Sequence, residues 1–132
     1  MAMHGLDDQP TPNGTLTLQT LSMPKDTNPY GDVFGGWLMS QMDLGGAILA
    51  QEIAKGRVTT VAVSSMGFLR PVPVGATISC YAECIEIGRT SIKVMIEVWI
   101  KDWHNGDAGK VTEGEFVYVA IDDNGRTRPV PK

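Results

Sequence analysis

The segment DVFGGWLMSQMDLGGAILAQEIA, Asp32 to Ala54, constrains the fold most. At 3.6 residues per turn it reads as a helix that is apolar on almost every side. Such a helix must be covered over most of its surface. It is expected to start near Gly36 and to run to Ala54, with KGR ending it and Gly56 at the C-terminal cap. Leu38, Met42, Gly45, Leu49 and Ile53 form one stripe, widened by Trp37, Leu44 and Ile48, and are expected to face a sheet. Asp43 lies on another stripe with Met39, Gly46, Ala47 and Ala50. Small residues there admit a close neighbour, which can be a helix, a strand or a ligand.

The remaining segments read as strands. TLTLQTLSM alternates polar and apolar residues from Thr15 to Met23. PKDTNPYGDVFGG is a loop by its Pro, Asn, Asp and Gly content. RVTTVAVSSMGFLRP reads as one long strand, stopped by PVPVG. ATISCYAECIEIG and RTSIKVMIEVWIKD form a hairpin turning near Gly88 and Arg89. The loop WHNGDAG leads to a last strand, TEGEFVYVAID, and a DDNGR turn. The prediction is an α+β domain: an antiparallel sheet wrapped around one long central helix. The domain is expected over residues 15–128, with tails at 1–14 and 129–132.

The chain has 132 residues, enough for one hydrophobic core. Its formal net charge of −4, with no Lys/Arg run, argues against nucleic acid as a partner. The N-terminal MAMHGLDDQPTPNG is not a signal peptide, and WLMSQMDLGGAILA is too short and interrupted to span a bilayer. Cys80 and Cys84 face one side of a strand about 13 Å apart, too far to pair. Two reduced core thiols fit a cytoplasmic protein. Only His4 and His104 are available to complete a metal site, and none is expected.

An ionised carboxylate in an apolar setting costs several kcal/mol unless it is hydrogen-bonded or catalytic. The pattern leaves both roles open for Asp43. No core histidine, nucleophile elbow or phosphate-cradling loop is present, so a carboxylate is the best available base or nucleophile. Asp43 and Asp32 are the candidates. Gly35 and Gly36 open the helix, where free amides and the dipole favour a developing oxyanion; the pattern alone slightly favours a plain loop-to-helix entry. Asp43 lies seven residues beyond Gly36, about 10 Å along the axis. Both can hardly act on one carbonyl from the same helix, which points to a site at a dimer interface.

The residues also match a known family. TLSMPKDTNPYGDVFGGWLMSQMDLGGAILAQEIAKGRVTTVAV resembles the YciA-type bacterial acyl-CoA thioesterases of the hotdog superfamily, and the resemblance continues through FLRPVPVGATISCYA, GRTSIKVMIEVW and FVYVAIDDNGR. It implies a hotdog fold, dimers assembled into a trimer of dimers, and hydrolysis of acyl-CoA to a free acid and CoA. Asp43 would be the catalytic carboxylate, Asp32 a polar residue lining the site, and the amides of Gly35 and Gly36 the thioester-polarising end. The turn Gly88, Arg89, Thr90, Ser91 resembles a loop that meets CoA. The chain departs from the family pattern at Tyr30, Ser64 and Gly67, which bears on acyl-chain preference.

CoA phosphates need cations, and Arg57, Arg70, Arg89 and Lys93 are the candidates. No cofactor is implied, since CoA is part of substrate and product. Met39 and Met66 are candidates for an acyl tunnel, while Trp37 and Trp99 are assigned to core packing and Trp103 to a loop. A hydratase would need a histidine on the helix, which is lacking. A non-catalytic acyl-CoA sensor, with Asp43 structural, is the alternative.

Overall fold

The computed structural model describes residues 11–132, so His4 and most of the expected N-terminal tail lie outside it. Strand β1 spans Thr15–Leu21 and helix α1 spans Gly35–Ala54. Four strands follow: β2 (Val58–Val63), β3 (Thr77–Ile87), β4 (Ser91–Lys101) and β5 (Ala108–Ala120). They form one sheet in the order β1-β3-β4-β5-β2, with every neighbouring pair antiparallel. α1 packs across all five strands. This is the predicted helix wrapped by a sheet.

The helix face that meets the sheet keeps the expected Leu38, Met42 and Gly45, with Leu49 and Ile53 packed against the core, and extends to Gly46, Ala50 and Ala54. Leu38, Met42, Gly45, Gly46, Ala50 and Ala54 are the buried positions. Leu44 and Ile48, expected to face the sheet, are 55 % and 45 % exposed. The helix rolls its small residues onto the strands because backbone and sheet approach closely there. A Cβ on Gly45 would sit 3.0 Å from Thr17 Oγ1 and 3.1 Å from Cys80 Cβ. A Cβ on Gly46 would collide with the Tyr118 hydroxyl and lie 2.5 Å from Ile96 Cδ1. The close neighbour that the small stripe admits is therefore the chain's own sheet.

Two further expectations are corrected. The helix ends on Lys55, which takes the left-handed conformation at φ 54°, rather than on Gly56. Gly56 instead leaves room for the Arg128 guanidinium, which donates to the Ala54 carbonyl at 2.9 Å. The long strand from Arg57 stops at Val63. Residues 64–70 still follow β5 through single bonds, Ser64 N to Glu115 O at 2.9 Å and Leu69 N to Val111 O at 2.7 Å. Beyond the DDNGR turn, Val130 is buried and its amide donates to Arg89 O at 2.8 Å, so the packed chain extends past Arg128.

The outer face of β4 carries Lys93, Met95, Glu97 and Trp99, opposite the helix side. Glu97 is only 3 % exposed there. It accepts from Trp99 Nε1 at 2.8 Å and Asn13 Nδ2 at 3.0 Å, which satisfies the buried carboxylate. Trp99 thus serves the outer face, whereas Trp37 packs on the core as expected.

The glycine geometry separates two substitutions. Gly46→Ala should cost about 1–3 kcal/mol by overpacking. Gly36→Ala, whose Cβ meets nothing within 4 Å, should be neutral or stabilising by up to about 1 kcal/mol. Urea unfolding of both variants checks this; equal midpoints would contradict the packing.

Candidate active site

Asp43 sits midway along α1 and is partly buried. Two hydroxyls reach the same carboxylate oxygen. Thr60 Oγ1 donates to Oδ1 at 2.6 Å, and Tyr118 Oη lies 3.1 Å from Oδ1 and 2.9 Å from the Asp43 carbonyl oxygen. Thr60 comes from β2, where the pairing with β5 slips between Thr60 and Ala62. A bulge of this kind re-aims a side chain, here toward the helix. Tyr118 comes from β5 and is fully buried. Oδ2 makes no hydrogen bond among the described residues, and no cation there forms a salt bridge with Asp43.

Burial raises the Tyr118 phenol well above its ordinary range, and the neighbouring Asp43 charge adds to the rise. Tyr118 is therefore a donor throughout the physiological range. Burial also pushes the Cys80 thiol up to about 12.

The helix start is open. Phe34 caps it without a side-chain bond, and the amides of Gly35 and Gly36 have no partner among the described residues. Phe68 covers Gly35, since a Cβ there would lie 3.1 Å from its ring, while Gly36 faces free space. The preceding loop is folded by Asn28, whose Oδ1 accepts from Tyr30 N at 2.9 Å and Asp32 N at 3.1 Å. Asp32 itself bridges Pro73 by its backbone. Tyr30 is 88 % exposed. Asp43 and the helix start remain about 10 Å apart along the axis within one protomer.

The candidate cations do not converge. Arg70 pairs with Asp107 at 2.9 Å beside a cavity on the outer face of the sheet that Glu97 and Trp99 also line, and Lys93 lies near Glu86 and Glu115 at 3.4 and 3.9 Å. Arg57 donates to the carbonyls of Asp122 and Asp123 at the far end of the helix. Arg89 makes no side-chain hydrogen bond or ion pair among the described residues. It sits in the Gly88–Ser91 turn, closed by Gly88 N to Ser91 O at 2.8 Å. This turn borders a cavity of about 730 Å³ that Lys132 also lines and that has no Asp or Glu in its lining. Thr90 O accepts from Ala120 N at 2.9 Å, which places the turn two residues from Tyr118 along β5.

Met66 lies over Gly114, and the same point is 3.7 Å from Met42 Cε. Ser64 Oγ accepts from Glu115 N at 2.9 Å, and Thr112 Oγ1 donates to Gly67 O at 2.7 Å. Trp103 packs under Lys101 and donates to Thr77 Oγ1, away from α1. Sequence reasoning missed Thr60, Tyr118 and Asn28. Their signals were slight: hydroxyls on strands flanking the helix, and an Asn in the loop before it.

The family model described as the thioesterase superfamily matches residues 30–105. The chain is 59 % identical over 124 residues to the acyl-CoA thioester hydrolase YciA of Salmonella typhimurium strain LT2, covering 92 % of this chain and 93 % of that one. This chain belongs to the YciA-type acyl-CoA thioesterases of the hotdog superfamily. Two solved family members match its fold. One is a hexameric broad specificity acyl-coenzyme A thioesterase, HI0827, with a TM-score of 0.90, 52 % identity, and 95 % and 86 % of the two chains covered. The other is the hexameric thioesterase y2039 from Yersinia pestis, with a TM-score of 0.87, 57 % identity, and 92 % and 99 % covered.

Two raised acids make stability fall at high pH. The unfolded Cys80 thiol ionises above 9.0, while the folded one keeps its proton to about 12. Stability is therefore full below pH 9 and declines above it, by about 2 kcal/mol at pH 10.5 from Cys80 alone. Urea unfolding at pH 8 and pH 10.5 should show that Cys80→Ala loses less stability than the wild type. Equal losses would contradict the burial.

Proposed function

We propose that this protein hydrolyses acyl-CoA thioesters to a free carboxylic acid and CoA. The observation that carries the reading is the Asp43 carboxylate, fixed by two hydroxyls on Oδ1 and free on Oδ2. Asp43 acts from one protomer. The amides of Gly35 and Gly36 come from its partner, because one helix cannot bring both to the same carbonyl. Exposed Leu44 and Ile48 on α1, with Val61 and Val63 on the free edge of β2, form an apolar surface that suits this dimer. The dimers assemble further into a hexamer, as in the solved relatives. Among the described residues no helix is long and apolar enough to cross a membrane. Free Cys80 and Cys84 support a cytoplasmic location.

The chemistry follows from these positions. A water held at Oδ2 gives its proton to Asp43 as its oxygen bonds the thioester carbon. The carbonyl oxygen takes the negative charge, facing the amides of Gly35 and Gly36. Collapse breaks the C–S bond, and the departing CoA sulfur receives the proton. In the direct route Oδ2 bonds the thioester carbon and the C–S bond breaks, giving an anhydride and CoA thiolate; water then cleaves the anhydride to the free acid and the Asp43 carboxylate, and the proton released goes to the thiolate. Asp32 sits at the helix entry, where it faces the incoming substrate. Arg89, with Gly88, Thr90 and Ser91, receives the CoA phosphates. Arg57, Arg70 and Lys93 are engaged elsewhere and are weaker candidates.

Release of CoA thiol from acyl-CoAs of increasing chain length tests the reaction. Wild type should turn over, and Asp43→Asn should lose at least about 100-fold in kcat while folding and assembling normally. Binding of acyl-CoA without turnover would replace the hydrolase with a sensor. Arg89→Ala should raise KM more than it lowers kcat; the converse would remove Arg89 from CoA binding.

A further inference from the structure

We infer that Tyr118 is a positioning residue for the hydrolysis: its hydroxyl bridges the carbonyl and the carboxylate of Asp43 and fixes which oxygen of that carboxylate reacts. The inference rests on the thioesterase reading of Asp43.

The geometry is specific. One phenol oxygen lies 2.9 Å from the Asp43 carbonyl oxygen and 3.1 Å from Oδ1. A donor that spans main chain and side chain of one residue fixes the rotamer between them. Thr60 approaches Oδ1 from a different strand at 2.6 Å. With Oδ1 occupied by two hydroxyls, Oδ2 is left to meet water or thioester.

Room for the phenol is built into the helix. Gly46 lies three residues beyond Asp43, and any Cβ there would occupy the place of the Tyr118 hydroxyl. The second glycine of the DLGGA run is thus tied to a hydroxyl on β5, 72 residues later in the chain, by the approach the two must share. The ring itself is held independently of the hydroxyl. It is fully buried and stacks with Phe116, centroids 6.5 Å apart. Burial and the Asp43 charge keep the phenol protonated, so its one proton is always there to be shared between the Asp43 carbonyl and Oδ1. The pairing of Tyr118 with Ile92 and of Ser91 with Val119 also joins it directly to the turn that carries Arg89.

The test is Tyr118→Phe, made in wild type and in Asp43→Asn. The ring and its packing persist in Phe, so assembly size and the melting temperature report any general damage. In wild type, Tyr118→Phe should lower kcat about tenfold with KM nearly unchanged, the loss of one hydrogen bond to a charged group. In Asp43→Asn, the same substitution should change the residual kcat by less than about twofold, because a residue that acts through Asp43 has nothing left to position. A merely structural tyrosine would lower both enzymes by the same factor, and that result would overturn the inference. Wild-type kcat in Tyr118→Phe would also overturn it. Full activity in Asp43→Asn would overturn the assignment of the site itself, and the role of Tyr118 with it.

Discussion

A carboxylate in the middle of an apolar helix is held in place by hydroxyls from two strands of the surrounding sheet. Each such bond to a charged group is worth about 1.5–3 kcal/mol, enough to offset much of the cost of placing Asp43 there. The bonds form only if the helix lies very close to the sheet. Gly45 and Gly46 permit that approach on one side of Asp43, and the bulge after Thr60 turns a hydroxyl inward from β2. The roll of the helix, the choice of small residues and the slip in the β2–β5 ladder are one packing solution. It leaves Leu44 and Ile48 facing outward, where a second copy of the chain can cover them.

The same solution bears on the proposed division of the site between two protomers. The unbonded Oδ2 of Asp43 and the open helix start belong to one element and lie about two turns apart. Moving either along α1 would break the glycine contacts or the capping loop folded by Asn28. In the proposed dimer, a two-fold axis would resolve this by presenting the helix start of each chain to the aspartate of the other. The turn that carries Arg89 is bonded to Ala120 and Val130, beside the β5 end that holds Tyr118. In the proposed complex its guanidinium, unpaired among the described residues, would meet the CoA phosphates.

Periodicity made the helix and the β3–β4 hairpin legible. Both are long, and the hairpin strands alternate about Gly88 and Arg89. The DDNGR turn was equally plain, because Gly125 takes the positive φ such a turn requires. The segment after Val63 misled because its apolar residues suit a strand, yet Gly67 and the prolines at 71 and 73 limit it to isolated bonds with β5. Leu44 and Ile48 misled because a pattern marks what is apolar, not which side of the helix the sheet covers. Thr60 and Tyr118 were hidden for another reason. They lie 17 and 75 residues from Asp43, and only strand order and register bring them to it. The carbon skeleton of the site was readable in the helix; its hydrogen bonds depended on the sheet. Arg57, Arg70 and Lys93 were equivalent to Arg89 by residue type and were separated only by their partners.

The central claim is that Asp43 of one chain and the helix start of another serve one thioester. Mixing two inactive variants tests it most directly. Asp43→Asn removes the carboxylate, and Gly36→Val blocks the helix start, where a Cβ meets nothing within the chain itself. Refolded together in equal amounts, half of the dimers carry one chain of each kind, and each of those has one intact site of two. The account predicts recovery of about a quarter of wild-type CoA release in the mixture. Two inactive chains that stay inactive when mixed, in dimers shown to be exchanged, would contradict a shared site.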